Sequence, residues 1–408
     1  MKLPFWIAKR IAFSKNSSFS AFIIKVAVLA IALSLGVMIV SNSIINGFKK
    51  EIEEKVFGFW GHIRISSFED KYAYDNSSPV SVRQDFYPNL PQMDDEVASI
   101  QVFATKPAIL MTGEQIEGIV LKGIGTDVDW SFFRQYLVEG TTFMPSDTSA
   151  SNDMLISTYT AKRLGLKVDD KVLVYFVQQQ SRYRKLRVAG IYNTGLVDYD
   201  AQFALIDIAH IRKLNNWKND EVGGFSVWLK SIHHLEEANQ RIYHQYIGSE
   251  LNANTIRDIL PNIFDWLALQ QTNERIITIL MIFVAVINII SALLILILER
   301  TNMIGILKAL GANNWFIRKI FLSQAAYIIL TGLFWGNVVA LAICYLQQHF
   351  HWLKLPEESY YISIVPIEID YFTLVLLNVG VFVVAIISLI LPTIIVSNIR
   401  PIEAIRFE

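Results

Sequence analysis

The sequence predicts a membrane protein of four transmembrane α-helices, with a large α+β domain inserted between the first and second. Three observations predict it. Four apolar blocks, Phe19–Ile45, Ile276–Leu298, Ile320–Leu346 and Tyr371–Val396, hold most of the uncharged apolar length of the 408 residues. Each is long enough, at about 1.5 Å rise per residue, for a hydrocarbon core about 30 Å thick. Between the first two blocks the hydrophobic period switches from helical to alternating, as strands require. Finally, lysine and arginine in the short connections are sorted to one side.

Residues 1–18 carry Lys2, Lys9, Arg10 and Lys15 without an acid, a basic lead-in suited to the inner leaflet. The first span, residues 19–47, has one charge, Lys25, near its start, where the ammonium can snorkel to headgroups. It is too long for a secretory h-region and reads as an uncleaved anchor. Ile45, Phe48, Ile52 and Val56 keep helical spacing beyond it. An amphipathic stalk is therefore expected to run to about residue 57 and stop at Gly58. A matching stalk is expected before the second span (261–298). Pro261 suits a first helical position, and Ile263, Trp266, Leu267 and Gln270 follow at helical spacing. Two stalks would bring both ends of the insert to one place.

The insert, residues 58–260, reads as a water-soluble α+β domain. His62–Ser66 alternates, and Val102–Met111 and Ile116–Ile124 flank Gly113-Glu114 as a hairpin. Met154–Ile156 and Lys171–Val177 are strands around a helix, Thr158–Leu164, that stops at Gly165. Arg184–Ile191 pairs back across QQQSRY as a second hairpin. Phe225–Leu229 is a strand and Leu235–Tyr246 a polar helix, while residues 69–99 show no clear period.

Beyond the second span, residues 299–315 form a short helical handle broken at Gly311. The third span (316–346) carries the small-xxx-small pair Gly332 and Gly336, which permits close helix approach. A loop (347–370), a fourth span (371–396) with Pro392 near its end, and a tail (397–408) complete the chain. Arg300, Lys308, Arg318 and Lys319 outnumber Glu299 in the handle region. Lys354 stands against Glu357, Glu358, Glu368 and Asp370 in the loop. Positive-inside sorting puts both termini and the handle in the cytoplasm, and the insert and the 347–370 loop outside.

The chemistry that is missing narrows the function. No nucleotide-binding P-loop, no His-Glu-x-x-His, no Gly-x-Ser-x-Gly and no cysteine pair for zinc occurs. The single cysteine, Cys344, lies in a span, so no intrachain disulfide forms. His233-His234 and His349/His351 are the only close sets of histidines and read as solvated residues rather than a metal site. Within the spans, Asn288, Asn337 and Asn378 read as interhelical hydrogen-bonding groups. A formal net charge of −1 says nothing here about nucleic acid, and no nucleic-acid partner is expected. No enzyme activity of the chain's own and no bound cofactor is expected, so any work it does is powered from elsewhere. The handle is the place for that attachment. It offers Met303, Ile306, Leu307 and Leu310, interleaved with Lys308, ahead of Gly311 and Ala312.

ERTNMIGILKALGANNWFIRKIFLSQAA resembles the coupling segment of the FtsX-like permeases, and SNIRPIEAIRFE resembles that family's closing signature. WSFFRQYLVEG, MLISTYTAKRLGLKVDDKVLVYF and RVAGIYNTG are similar to the MacB-type periplasmic core. Within these families the resemblance is closest to the LolC/LolE-type lipoprotein-releasing permeases of ABC transporters in the bacterial inner membrane. It implies two separate ATP-binding cassette subunits that hold ATP and Mg, and a second permease copy, identical or a sister chain. It further implies a lobe of about 58–124 plus 220–260 with an inserted lobe of about 125–219. Lipoprotein cargo would enter from membrane lipids between spans one and two and pass to a periplasmic lipoprotein carrier. Met38, Ile39, Val40, Ile44, Ile45 and Phe48, with Phe264, Trp266 and Leu267, offer apolar surface for that entry.

Two departures stand out. Met303 occupies a position where the family often has an acid. The hairpin matching the carrier-binding hook is VQQQSRYRK, short and without proline, although Gln179, Arg182, Tyr183 and Arg184 remain available to an acidic partner. Alternative readings are MacB-like efflux by mechanotransmission and FtsX-like signal transmission to a periplasmic hydrolase.

Overall fold

The structure is a computed structural model that describes residues 18–70, 77–113, 115–146, 149–176, 182–356, 360, 362–390 and 392. The basic lead-in and the tail signature lie outside the described residues. The chain divides into two compact units, one of residues 1–50, 267–353 and 364–408, the other of 51–266 with 354–363.

The first unit is a helix bundle. Its long helices are α1 (Ser18–Trp60), α2 (Pro261–Glu299), α4 (Asn314–Phe350) and α5 (Tyr371–Ser388), with a short helix α3 (Thr301–Ala309) between α2 and α4. All four long helices have the length and hydropathy to cross a membrane. Ile23, Ala27, Ile31, Leu35 and Met38 fall on one helical face of α1 and share a core with Leu293 and Leu296 of α2 and with Phe321 and Ile328 of α4. α1 and α4 approach each other closely. A Cβ on Gly332 would stand 2.7 Å from Ile31 Cβ, and one on Gly336 would stand 2.9 Å from the Ala32 carbonyl oxygen. The small-xxx-small pair thus seats α4 on α1 of the same chain, where Gly36 lies across from Gly336. Gly332→Leu is expected to overpack this seam and destabilise the bundle by about 1–3 kcal/mol, measured as a lower unfolding midpoint in detergent. Asn337 and Asn378 exchange amide hydrogen bonds of 2.7 and 3.0 Å between α4 and α5.

The α1 helix passes through Gly58, the expected stop, and ends at Trp60, with Gly61 in the left-handed region at φ 86°. Gly58 is there for space, not for termination. A Cβ at that position would sit 2.1 Å from the Phe132 ring. A glycine followed by aromatic residues reads the same in sequence whether it ends a helix or admits a ring.

The second unit is built on β1 (Ile63–Ser67), β2 (Val80–Ser81), β3 (Val97–Thr112), β4 (Gln115–Ile124), β5 (Leu137–Gly140) and β6 (Asp153–Ser157). It continues with β7 (Lys171–Phe176), β8 (Arg182–Tyr192), β9 (Phe203–Asp207), β10 (Glu221–Val222), β11 (Gly224–Leu229) and β12 (Leu251–Thr255). The main sheet runs β12-β1-β11-β3-β4-β9-β6-β8-β5, and β7 pairs with both β3 and β8. β3 and β4 form the hairpin closed by Gly113 at φ 55°. β4 then pairs in parallel with β9, Val120 opposite Phe203, so strands from residues 58–124 and 125–219 share one sheet. Among 69–99, β2 pairs with β10, a contact too short to leave a period in the sequence. The helix at Thr158–Leu164 is capped by the Ser157 hydroxyl and closed by Gly165 at φ 63°, the signals its sequence carries.

Two features fasten the last turn of α1 within this unit. The Lys122 ammonium, from β4, donates to the Phe59 carbonyl oxygen and lies 4.7 and 4.8 Å from the Phe59 and Trp60 rings. Burial, and then the charge of Arg64, push its pKa down to about 7. Nearby, Glu53 pairs with Arg257 at 3.2 Å, and Arg257 stands over Phe264, whose ring is 5.8 Å from Phe57. The beginning of α2 therefore packs beside the end of α1, as a pair of stalks requires.

Candidate functional site

The handle is α3. Thr301 Oγ1 donates to the Leu298 carbonyl at 2.6 Å, which fastens the new helix to the end of α2. Its exit is a left-handed Gly311 at φ 89°, with the Gly311 N–H on Lys308 O and the Ala312 N–H on Leu307 O. Asn313 then caps α4 by accepting from the Trp315 N–H at 3.3 Å.

The two faces of α3 differ. Ile304 is fully buried, Gly305 is buried, and Met303, Leu307 and Ala312 pack against the bundle core. Ile306 is 53% exposed, Leu310 79% and Trp315 56%. Of the expected contact set Met303, Ile306, Leu307 and Leu310, only Ile306 and Leu310 are exposed, and Met303 and Leu307 are half-buried against the bundle. Met303 and Leu307 are one turn apart and share the inward face with Ile304. Both faces of this helix are apolar, so sequence spacing alone could not choose between them. Lys308 is half-buried, and burial lowers its ammonium pKa. Trp315, outside the expected contact set, adds an exposed ring with the Lys319 ammonium 5.2 Å from its centroid.

The expected cargo surface divides as well. Met38 and Ile39 are buried in the bundle core, Phe48 and Leu267 are buried, and Val40, Ile44, Ile45, Phe264 and Trp266 are half-buried. The exposed stripe of α1 is instead Phe22, Val26, Leu29, Leu33 and Val37, at helical spacing on the opposite face. On α2, Ile276, Leu280 and Phe283 are each more than half exposed. Burial turns Met38, Ile39, Phe48 and Leu267 inward, whereas the other five keep part of their surface open. The exposed stripe of α1 and the three residues of α2 carry the open apolar surface.

The hairpin of β7 and β8 places Arg182 opposite Phe176 and Tyr183 opposite Tyr175. Gln179 lies outside the described residues. Tyr183 is 60% exposed, with its ring 5.9 Å from that of Tyr175, and Arg184 is half-buried and donates to the Tyr183 carbonyl. The register shows what the sequence could not. Ile109, Met111 and Ile116 of the neighbouring hairpin share this outward face with Leu173, Tyr175 and Tyr183, and among the described residues no side chain covers Gly118. The result is a largely apolar, partly exposed sheet face edged by Lys171 and Lys185. Among the described residues, no group of three His, Cys, Asp or Glu side chains is placed to hold a metal.

Residues 26–244 match the MacB-like periplasmic core domain, more than half of the chain. The chain belongs to that family. Its remaining membrane part, residues 275–401, matches the FtsX-like permease C-terminal domain, the stretch that contains α3 and its glycine exit. This chain is similar to the lipoprotein-releasing system transmembrane protein LolC of Xylella fastidiosa, at 23% identity over 97% of this chain and 96% of the relative. It is similar to LolE of Haemophilus influenzae at 23% identity over 99% of each. Among solved structures, the periplasmic region of MacB from Actinobacillus actinomycetemcomitans aligns with TM-score 0.34 and 12% identity, covering 49% of this chain and 91% of that one. The extracellular domain of the Gram-positive transporter YknZ aligns with TM-score 0.32 and 15% identity, covering 47% and 98%.

Proposed function

We propose that this permease is a membrane subunit of an ATP-driven transporter that extracts lipoproteins from the bacterial inner membrane for passage to the outer membrane. The observation that carries the reading is similarity along nearly the whole chain to relatives named as lipoprotein-releasing permeases. In this reading α3 is cytoplasmic and fits a groove on an ATP-binding subunit. Ile306, Leu310 and Trp315 are the contact, and Met303, Leu307 and Ala312 hold the helix to the bundle. Two such subunits hold ATP and Mg, and two permease copies complete the transporter. The α+β unit faces the periplasm, and both termini face the cytoplasm.

Lipid-anchored cargo reaches the open apolar surface of α1 and α2, and nucleotide-driven movement of the stalk helices lifts it out. The partly exposed sheet face beside the β7–β8 hairpin is available to the protein that receives the cargo. Depletion of this chain is expected to strand newly made lipoproteins in the inner membrane, measured by separating the two membranes and detecting the acylated proteins in each. Normal delivery of lipoproteins, with retention of an exported peptide or drug instead, would favour the efflux alternative.

A further inference from the structure

The α+β unit holds a cleft of about 320 Å³ beside the last turns of α1. That volume is at the lower end of the range for small-ligand sites. Ser99 and Gln101 stand two residues apart on one face of β3, and Trp228 of β11 lies opposite Ser99. Asp129, Ser131 and Phe132 complete the polar and aromatic lining. Asp129 and Ser131 are exposed, and the other four are half-buried. The Phe132 ring is fixed in place. It fills the space over Gly58, where a Cβ would stand 2.1 Å away, and its centroid lies 5.2 Å from that of Phe133 and 4.9 Å from that of Tyr136.

The polar groups of this cleft are uncommitted. Asp129 Oδ1 accepts from the Ser131 N–H at 2.8 Å, and no cation pairs with the carboxylate among the described residues. The Ser99 and Ser131 hydroxyls and the Gln101 amide likewise have no protein partner among the described residues. By contrast, Glu53, Asp94 and Asp153 of the same unit each hold an arginine. Among the described residues no lysine, arginine or histidine lines the cleft. Hydrogen-bond acceptors, one negative charge and two aromatic rings therefore converge on one space. This chemistry selects a flat cation. A guanidinium stacks on aromatic faces and presents five N–H donors in one plane, whereas a lysine ammonium is a compact, strongly hydrated point charge. A sugar would stack on Trp228 as well, but it would leave the carboxylate without a counter-charge.

We propose that this cleft binds an arginine side chain presented by a peptide of another molecule. The guanidinium lies against Phe132 and Trp228 and donates to Asp129 and Gln101. The site does not rest on the lipoprotein-release reading. Because α1 is one helix from Ser18 to Trp60, an occupant that bears on Phe132 also braces the end of that helix at Gly58.

The test titrates Nα-acetyl-arginine amide onto the full chain in an uncharged detergent and follows binding by saturation-transfer NMR. Saturable binding is expected, with a dissociation constant on the order of 1 mM for so small a ligand. The neutral isostere Nα-acetyl-citrulline amide is expected to bind about tenfold more weakly or worse. Asp129→Asn is expected to weaken the arginine ligand by a similar factor, since its side-chain oxygen can keep the Ser131 N–H bond while the charge is lost. Ser99→Trp, which fills the cleft, is expected to abolish binding, and unfolding midpoints check that both variants fold. Should Ser99→Trp fail to fold, Asp129→Asn decides alone. Absence of saturable binding, equal binding of the citrulline ligand, or undiminished binding by Asp129→Asn would overturn the proposal. Binding of methyl α-glucoside in place of the arginine ligand would overturn it too, and would make the cleft a sugar site.

Discussion

Leu310→Asp is expected to abolish ATP turnover in the ATP-binding partner of the proposed transporter, while membrane insertion and thermal stability stay unchanged. Leu310 is 79% exposed at the C-terminal end of α3, so an aspartate there stays hydrated and costs the folded chain little. In the complex the same carboxylate would be driven into an apolar groove without a partner. Loss of a central apolar anchor typically costs about 2 kcal/mol or more, a weakening of about thirtyfold. Leu307→Asp makes the contrast. Its side chain packs on the bundle core, so the charge is expected to lower the unfolding midpoint and the amount of inserted protein before coupling is tested. Turnover in Leu310→Asp equal to that of the parent protein would remove α3 as the docking element.

The second large effect is a dependence of stability on pH carried by Lys122. Its folded pKa, about 7, lies below the usual 10.5 because burial disfavours the ammonium. Between these values the unfolded chain binds the extra proton, so stability rises as pH rises from about 7 towards 10. Below pH 7 both states are protonated and the cost of the buried charge is felt in full. The rise is on the order of a few kcal/mol for a fully buried group. Lys106, also lowered by burial, acts in the same direction. Tyr136 is raised to about 12, and its opposing contribution begins only above its ordinary value of 10.0. Lys122→Met is expected to flatten the pH profile between 7 and 9.5, because the unbranched thioether fills the space beside Phe59 and Trp60 without a proton to lose. Unfolding midpoints across that range check it, and a parent profile that is already flat would refute the assignment to Lys122.

Much of the architecture is legible in residue order because membrane helices and hairpins are specified by local pattern. Uncharged length marks α1, α2, α4 and α5. Gly113 and Gly165 stand where the backbone must turn left-handed, and Ser157 stands where a helix must begin. Gly311 likewise marks the exit of α3, so the position of the handle needed no coordinates. Composition was enough to deny the chain a nucleotide loop and so to direct attention to that handle.

What the tertiary structure decided is which apolar side of each helix faces its own neighbours. On α3, Leu307 and Leu310 are both leucines in one short run, and only packing separates the support from the exposed contact. On α1, Met38 and Ile39 looked available to lipid, yet the bundle buries them and leaves Leu33 and Val37 open. Gly58 looked like a stop, and the Phe132 ring made it a seat. The physical reason is the same in each case. Hydrophobic burial is non-directional, so an apolar helix carries no mark of its inward face until a partner of complementary shape closes on it. The sheet face beside Tyr183 depends on the register between two separate hairpins, and for that reason residue order held no trace of it.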